Sequence, residues 1–112
     1  MDIFEFSDVK RTLESTGGLW HEFFQIPALS MGIYSLPAGI KDPQQPHTED
    51  EVYYVVSGRG QIHVAGEDRE VQPGTVVFVA ANDSHYFHSI EEDLELLVIF
   101  APAEGSLATN RS

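Results

Sequence analysis

Apolar and polar positions alternate along much of the chain, in short stretches that end at turn residues. In residues 29–34 the apolar positions are Leu29, Met31 and Ile33, and the turn sequence Pro37-Ala38-Gly39 follows soon after. Successive side chains of a β-strand point to opposite faces of the sheet, so a period of two is typical of a half-buried strand. We therefore predict a strand here, with Met31 and Ile33 on its inward face.

Similar stretches predict further strands at residues 19–24, 52–56, 61–64, 70–71, 75–79, 85–90 and 94–100. The sequence Ala65-Gly66-Glu67-Asp68 is typical of a hairpin turn. Residues 7–14 instead carry helical signals, with Ser7 as the N-cap. Seven or eight short strands with close turns indicate an all-β sandwich or small barrel, preceded by a short N-terminal helix. Its buried residues are expected to include Leu29, Met31, Ile33, Val55, Ile62, Val64 and Val98.

Length and composition limit the kind of protein. At 112 residues we expect a single domain over 1–112, with a core at about 19–102 and a flexible tail at 103–112. The chain has no cysteine, which excludes disulfides, thiolate zinc sites and cysteine nucleophiles. No apolar run approaches the length of a membrane span, and residues 1–20 lack a signal-peptide pattern, so we expect a cytoplasmic protein.

The charge of the chain argues against polyanionic partners. The formal net charge is −12, and the six basic residues are scattered along the sequence. A negative field of this size repels phosphate backbones and anionic lipid surfaces. We therefore expect no binding to nucleic acid and none to membranes. The charge itself is typical of a chain kept soluble by repulsion between its copies.

Three residues with metal-binding side chains stand just before a predicted strand. Gln45, His47 and Glu51 have odd numbers, so in an extended chain they point to the same side. A histidine and a carboxylate are strong ligands for a divalent metal, and an amide oxygen is a weaker one. The apolar stretch 52–56 follows immediately. The sequence therefore predicts a metal site carried by a rigid sheet.

These residues resemble the two sequence motifs of the cupin family. The first motif, G-x5-H-x-H-x3,4-E-x6-G, is matched in spacing, with glutamine in place of the first histidine, by Gly39, Gln45, His47, Glu51 and Gly58. The second, G-x5-P-x-G-x2-H-x3-N, keeps its histidine and differs at three other letters, on Gly74, Ala80, Asn82, His85 and Ser89. The resemblance implies an all-β cupin-type double-stranded β-helix, which is a jelly-roll barrel.

For the site, the resemblance implies one divalent metal ion bound by His47, Glu51 and His85, with Gln45 as the fourth ligand. Water could take the place of Gln45, and Glu49, which shares the parity of His47, is the reserve ligand. The ion is expected to be iron, manganese or zinc, with nickel as a further option. The alternative is a degenerate cupin whose polar residues only hydrogen-bond inside the barrel.

The remaining histidines are not expected to bind the ion. His88 follows His85 by three residues, so the two side chains point to opposite faces of a strand. His63 lies between Ile62 and Val64, which are the better core candidates by alternation. Both histidines are predicted to lie at the surface or at an interface.

The predicted inward face also suggests how a pocket is lined. We expect the pocket to include Met31, Ile33, Tyr53 and Phe87, the last two being spaced two residues from Glu51 and His85. Aromatic walls suit a small organic molecule that is largely apolar or aromatic.

Two functions from different classes remain open. The first is a small enzyme that uses the metal either like a dioxygenase or as the Lewis acid of an isomerase or lyase. The latter needs a base that does not bind the ion, and Tyr53 and Glu49 are the candidates. The second is a non-catalytic module that binds a small molecule or a metal as a sensor or carrier.

The chain is also expected to form a homodimer. A small barrel leaves strand edges that need covering, and pairing with a second copy is one way to cover them. The segment predicted for the interface is residues 20–24, which include Trp20, Phe23 and Phe24. The alternative is that these aromatic residues close one end of the barrel in a monomer.

Overall fold

A computed structural model of the chain describes residues 1–43 and 46–107. Within these ranges one helix precedes six strands, which in chain order are α1 (Phe6–Thr16), β1 (Trp20–Ile26), β2 (Leu29–Leu36), β3 (Asp50–Val64), β4 (Glu67–Val71), β5 (Val76–Val79) and β6 (His85–Ala101). The protein is an all-β jelly-roll barrel with a short N-terminal helix, as predicted. No helix in the described ranges is long and apolar enough to cross a membrane.

The helix begins earlier than its sequence signals indicate. Glu5, not Ser7, occupies the N-cap position, and its side chain makes no capping hydrogen bond. Ser7 therefore lies inside the first turn. The C-terminal signal is stronger: Gly17 adopts a left-handed conformation with φ of 72°, and its N–H donates to the carbonyl of Glu14. Glycine reaches this conformation without the clash that a Cβ would cause, so it ends the helix cleanly.

Two long antiparallel strands, β3 and β6, form the centre of the sheet. β2 and then β1 extend the sheet from β6, while β4 and β5 pair with two different segments of β3. The sequence predicts separate strands at 52–56 and 61–64 and again at 85–90 and 94–100. In the structure each pair is one strand, interrupted by register shifts between Val55 and Gln61 of β3.

Gly58 lies within this irregular segment and explains how the two strands stay paired there. Its φ is 92°, and a Cβ at this position would lie 2.1 Å from the backbone oxygen of Asp93. Only glycine fits this approach of the two backbones. Bulges of this kind bend a sheet and increase its twist, so the ladder can curl into a barrel.

The predicted hairpin is confirmed. β3 and β4 pair in antiparallel register from Gly60 with Val71 to Val64 with Glu67. The two residues between them, Ala65 and Gly66, both have positive φ, of 47° and 89°. Positive φ at both central positions is the conformation that two-residue hairpins favour.

The inward face of β2 differs from the prediction by one residue. Ile33 packs on the outer face against Val9 and Leu13 of α1, and Met31 has the same parity along the strand. Tyr34 and Leu36 point inward instead, into the main core. Both faces of β2 are partly covered, so the apolar pattern alone could not decide which face the barrel encloses.

Four of the seven residues predicted to be buried are buried, namely Ile33, Val55, Ile62 and Val98, and the other three are half-buried. The chain after β6 folds back along the barrel as far as it is described. Ala103 is buried, and the residues to 107 form turns. Residues 108–112 of the predicted tail lie outside the described residues.

Candidate metal centre

Three metal-binding side chains from separate segments meet inside the barrel. His47 precedes β3, Glu51 lies near the start of β3, and His85 begins β6. One ligand atom of each lies within 4.8 Å of the other two, and no other such group of histidine and carboxylate side chains occurs in residues 1–43 and 46–107. The structure thus brings together three of the four ligands predicted from the sequence.

The curl of the sheet brings Glu51 and His85 close together. Along the β3–β6 ladder Glu51 pairs with Phe100 near one end, whereas His85 pairs with Val64 at the other. The N–H of Asn82 also donates to the carbonyl of His47 at 2.7 Å. This bond ties the segment before β3 to the turn before β6, and so holds the two histidines on neighbouring segments.

His85 is held with one ring nitrogen facing the cluster. Its Nδ1 lies 2.8 Å from the carbonyl oxygen of Asp83. A carbonyl can only accept a hydrogen bond, so Nδ1 carries a proton, and in the neutral ring Nε2 keeps its lone pair. Nε2 lies 3.1 Å from Oε1 of Glu51, and neither atom has a hydrogen-bond partner among the described residues. Buried polar atoms are nearly always satisfied, so this pair of acceptors fits a bound cation.

The surroundings shift the pKa values of the two histidines in opposite directions. Burial lowers the pKa of His47, and the nearby Glu51 opposes this effect without cancelling it. Burial alone would also lower the pKa of His85, but its contacts with Glu51 and the Asp83 carbonyl raise it. Because a metal ion binds only a deprotonated imidazole nitrogen, protons compete with an ion more strongly at His85 than at His47.

The two further ligand candidates have different outcomes. Gln45 lies outside the described residues, so its ligation stays a prediction. Glu49 is buried, and its carboxylate accepts hydrogen bonds from the Thr48 hydroxyl and from the backbone N–H groups of Gly105 and Leu107, at 2.8 and 3.1 Å. Burial alone would raise the pKa of Glu49, but these bonds lower it. Its oxygens are occupied and it does not line the cavity, which corrects its assignment as reserve ligand or base.

A cavity of about 410 Å³ opens beside two of the three candidate ligands, His47 and Glu51. Seven of its ten lining residues are aromatic or aliphatic, namely Leu19, Trp20, Tyr34, Pro43, Tyr53, Val98 and Phe100. The other three are the ligands His47 and Glu51 and the carboxylate residue Glu104. Tyr53 is a wall residue, as predicted. Phe87 lies behind it, with 4.9 Å between the two ring centroids. Met31 and Ile33 do not line this cavity, because their positions lie on the outer face of β2, the face that α1 covers.

Trp20, predicted for a dimer interface, forms part of the cavity wall. Its ring packs edge-to-face on Tyr34 and Phe100, with centroid distances of 6.3 and 6.2 Å. Gly32 provides the space, since a Cβ there would lie 2.2 Å from the indole. Trp20 thus closes one end of the barrel.

The two phenylalanines of the same segment also have partners within the chain. The rings of Phe23 and Phe24 pack edge-on against Phe4, with centroid distances of 5.0 and 5.8 Å. The three aromatic rings of this segment therefore have partners within their own chain, and its place at a dimer interface stays a prediction.

Tyr34 lines the cavity, although the sequence pattern placed its neighbour Ile33 on the inward face of β2 instead. Its hydroxyl donates to Oδ1 of the buried Asp42 at 2.5 Å, and the second oxygen of Asp42 accepts the N–H of Phe87 at 2.9 Å. Burial and the hydrogen bond to Asp42 raise the pKa of Tyr34 well above its usual range. The cavity therefore contains a neutral phenol whose orientation is fixed by a buried carboxylate.

Glu104 is the other missed residue, and the sequence pattern gives no signal for it. It lies after β6, in the segment predicted as a tail, yet its Oε2 is 3.4 Å from Nδ1 of His47. Burial, together with the charges of Glu22, Glu51 and Glu49, raises the pKa of Glu104 to about 6. The site therefore holds a second carboxylate beside that of Glu51.

His63 and His88 lie apart from the cluster, as predicted. Both contact the same oxygen of Asp68, at 3.1 and 2.7 Å, and the His63 ring stacks on Tyr86. All four side chains are at least partly exposed. These contacts give both histidines partners on the surface of the sheet.

Comparisons with known proteins agree with this fold. The family model described as a cupin domain matches residues 32–100. An uncharacterized protein of Streptomyces coelicolor is 42% identical over 105 residues, which are 94% of this chain and 100% of that protein. Acireductone dioxygenase of Bacillus thuringiensis is 36% identical over 66 residues, which are 53% of this chain but only 38% of that enzyme.

Among solved structures, salicylate 1,2-dioxygenase from Pseudoaminobacter salicylatoxidans, in adducts with gentisate, superposes with a TM-score of 0.75. The match covers 88% of this chain and 32% of that one, at 16% sequence identity. At this identity the likeness concerns the fold alone.

Proposed function

This chain belongs to the cupin family, and we propose that it is a small enzyme that binds one divalent metal ion with His47, Glu51 and His85 and acts on a small organic substrate in the adjoining cavity. The observation that carries the proposal is the buried pair formed by Nε2 of His85 and Oε1 of Glu51, which have no hydrogen-bond partner among the described residues. Leaving such groups unsatisfied costs about 1–3 kcal/mol each, and more when they are charged. A metal ion bound to both atoms would remove this cost, and so would a proton on Nε2 of His85, with which the ion competes.

The ligand set favours a particular kind of chemistry. Two histidines and one carboxylate, with coordination positions left open, are typical of non-haem iron oxygenases. A bound ion would supply Lewis acidity and, if it is iron, a means to react with oxygen. The partial likeness to acireductone dioxygenase supports a dioxygenase-like reaction.

The residues around the ligands determine which molecules can enter. Trp20, Tyr53 and Phe100 give the cavity apolar walls, and its volume of about 410 Å³ suits a small molecule. The same walls limit the water that reaches the cluster. The substrate class that fits is a small, largely apolar or aromatic molecule with oxygen atoms that can reach an ion at His47 and Glu51.

A second candidate reaction, a Lewis-acid isomerisation or elimination, is favoured by the fixed phenol of Tyr34. Its hydroxyl is oriented by Asp42 and kept neutral, so it could accept a hydrogen bond from a substrate group at a defined place. Tyr53, which lines the same cavity, remains the candidate base for that reaction.

The test combines metal loading with turnover. Protein stripped with a chelator is loaded separately with iron, manganese, nickel or zinc, and oxygen consumption is measured against small phenols and diketones. We expect consumption with iron in the wild type and in His88→Ala, and none in His85→Ala. Product formation without oxygen consumption would instead favour the Lewis-acid reaction. Metal binding without turnover in any form would contradict the enzyme proposal and favour a binding module.

A further inference from the structure

The turn after β6 places a carboxylate against one ring nitrogen of His47, a candidate metal ligand. Oε2 of Glu104 lies 3.4 Å from Nδ1 of His47, and both side chains are half-buried. This distance is slightly longer than an ordinary hydrogen bond. A small rotation of either side chain would close it.

Two buried polar side chains hold this turn in place. The N–H of Glu104 donates to Oγ of the buried Ser30 at 2.9 Å. Two further N–H groups of the same turn donate to the carboxylate of Glu49, that of Gly105 to Oε1 and that of Leu107 to Oε2. Glu49 lies between His47 and Glu51 in the chain, so the segment that carries the ligands also anchors the turn that carries Glu104.

We propose that Glu104 is a positioning residue: it accepts a hydrogen bond from Nδ1 of His47, fixes the ring as the Nδ1–H tautomer, and so leaves Nε2 to bind the ion. This inference rests on the proposed metal site. Neutral histidine carries its proton on one nitrogen only, and the group that accepts this proton decides which nitrogen has the lone pair.

His85 shows the same arrangement with a different acceptor. Its Nδ1 faces the carbonyl of Asp83, and its Nε2 faces the cluster. With Glu104 in the corresponding place, both histidines offer the same nitrogen. A carboxylate acceptor also makes its histidine a stronger donor, and removing such a partner typically weakens metal binding about 10- to 100-fold.

The first measurement does not need a metal. Long-range ¹⁵N–¹H correlation spectra of the metal-free protein at neutral pH report which ring nitrogen of His47 is protonated. We expect the Nδ1–H tautomer in the wild type and a shift toward Nε2–H in Glu104→Leu, which has no acceptor. Glu104→Gln keeps an acceptor oxygen without the charge, so it should largely restore the wild-type tautomer.

Glu22→Leu is the matched control. Glu22 contributes to the negative field at Glu104, whereas the carboxylate that lies against Nδ1 of His47 is that of Glu104. Removal of Glu22 should leave the His47 tautomer unchanged. The same tautomer in the wild type and in Glu104→Leu would overturn the inference.

The second measurement is the dissociation constant of a divalent ion by titration calorimetry. We expect Glu104→Leu to bind the ion about 10- to 100-fold more weakly than the wild type, Glu104→Gln to lie between them, and Glu22→Leu to stay close to the wild type. Equal affinity in Glu104→Leu and the wild type would overturn the role of Glu104 while leaving the metal site in place. A wild type that binds no ion would overturn the proposed function, and the tautomer spectra would still test the hydrogen bond.

Discussion

At the scale of single residues, the site depends on hydrogen bonds that point ring nitrogens in defined directions. His85 has such a bond from Nδ1 to the Asp83 carbonyl, and its Nε2 is left facing Glu51. Spacing in the sequence identified His47, Glu51 and His85, because a ligand motif depends on residue type and separation. It could not identify Glu104 or Tyr34, whose places depend on a turn after the last strand and on the direction in which β2 faces.

Gln45 is the residue at which this chain departs from the cupin ligand pattern, and replacing it tests its place. We expect Gln45→His to bind a divalent ion more tightly than the wild type, because imidazole is a better donor than an amide oxygen. Gln44→His introduces the same side chain one position away and should not tighten binding. Isothermal titration of the three metal-free proteins measures the difference. Unchanged affinity in Gln45→His would place residue 45 outside the coordination sphere.

At the scale of elements, alternation predicted where strands lie better than how they are connected. The helix, β1, β2, β5 and the β3–β4 hairpin occur close to their predicted positions. β3 and β6 were each divided in the prediction, because the irregular segment around Gly58 interrupts the alternation without interrupting the strand. The inward face of β2 was misassigned because α1 covers its outer face, and a strand covered on both sides is apolar on both.

Gly58 is expected to be the glycine of the β3–β6 ladder at which a substitution destabilises the protein most. A Cβ in Gly58→Ala would meet the backbone oxygen of Asp93 at 2.1 Å, in addition to the strain of a φ of 92°. We expect Gly58→Ala to lower the free energy of unfolding by about 3 kcal/mol or more.

Gly74→Ala provides the comparison, because φ there is 95° but nothing lies within 4 Å of the added Cβ. Strain alone should cost about 1–2 kcal/mol. Urea denaturation of both variants measures the difference. Equal losses would show that the backbones at Gly58 separate easily, and that this contact does not shape the ladder.

At the scale of the whole molecule, the curl of one sheet brings the two ends of the β3–β6 ladder together and forms the site. The outer face of this sheet carries a row of uncharged side chains. Val76 pairs with Tyr54 and Phe78 with Val52, and Leu97 and Ile99 continue the row on β6. Phe78 is 62% exposed and Val76 64%, and none of these six side chains is charged. On a chain of net charge −12, such a strip is where two copies could approach with the least repulsion.

The homodimer expected from the sequence remains a prediction, and we propose this strip as a second candidate for its interface besides residues 20–24, whose aromatic rings have partners in their own chain. We expect light scattering to give a dimeric mass for the wild type at micromolar concentration and a monomeric mass for Phe78→Glu, because a buried charge opposes association. Phe24→Glu, whose ring packs against Phe4 of its own chain, should remain dimeric. A monomeric wild type would reject the dimer, and a dimeric Phe78→Glu would reject this interface.

The claim on which the rest depends is that an ion binds between His47, Glu51 and His85. Elemental analysis of purified protein after loading and desalting tests it most directly. We predict about one divalent ion per chain in the wild type and in His88→Ala, whose ring lies on the surface beside Asp68. We predict a large loss of metal in His85→Ala, because the change removes one of two buried, unpartnered ligand atoms. Equal metal content in His85→Ala and the wild type would contradict the account.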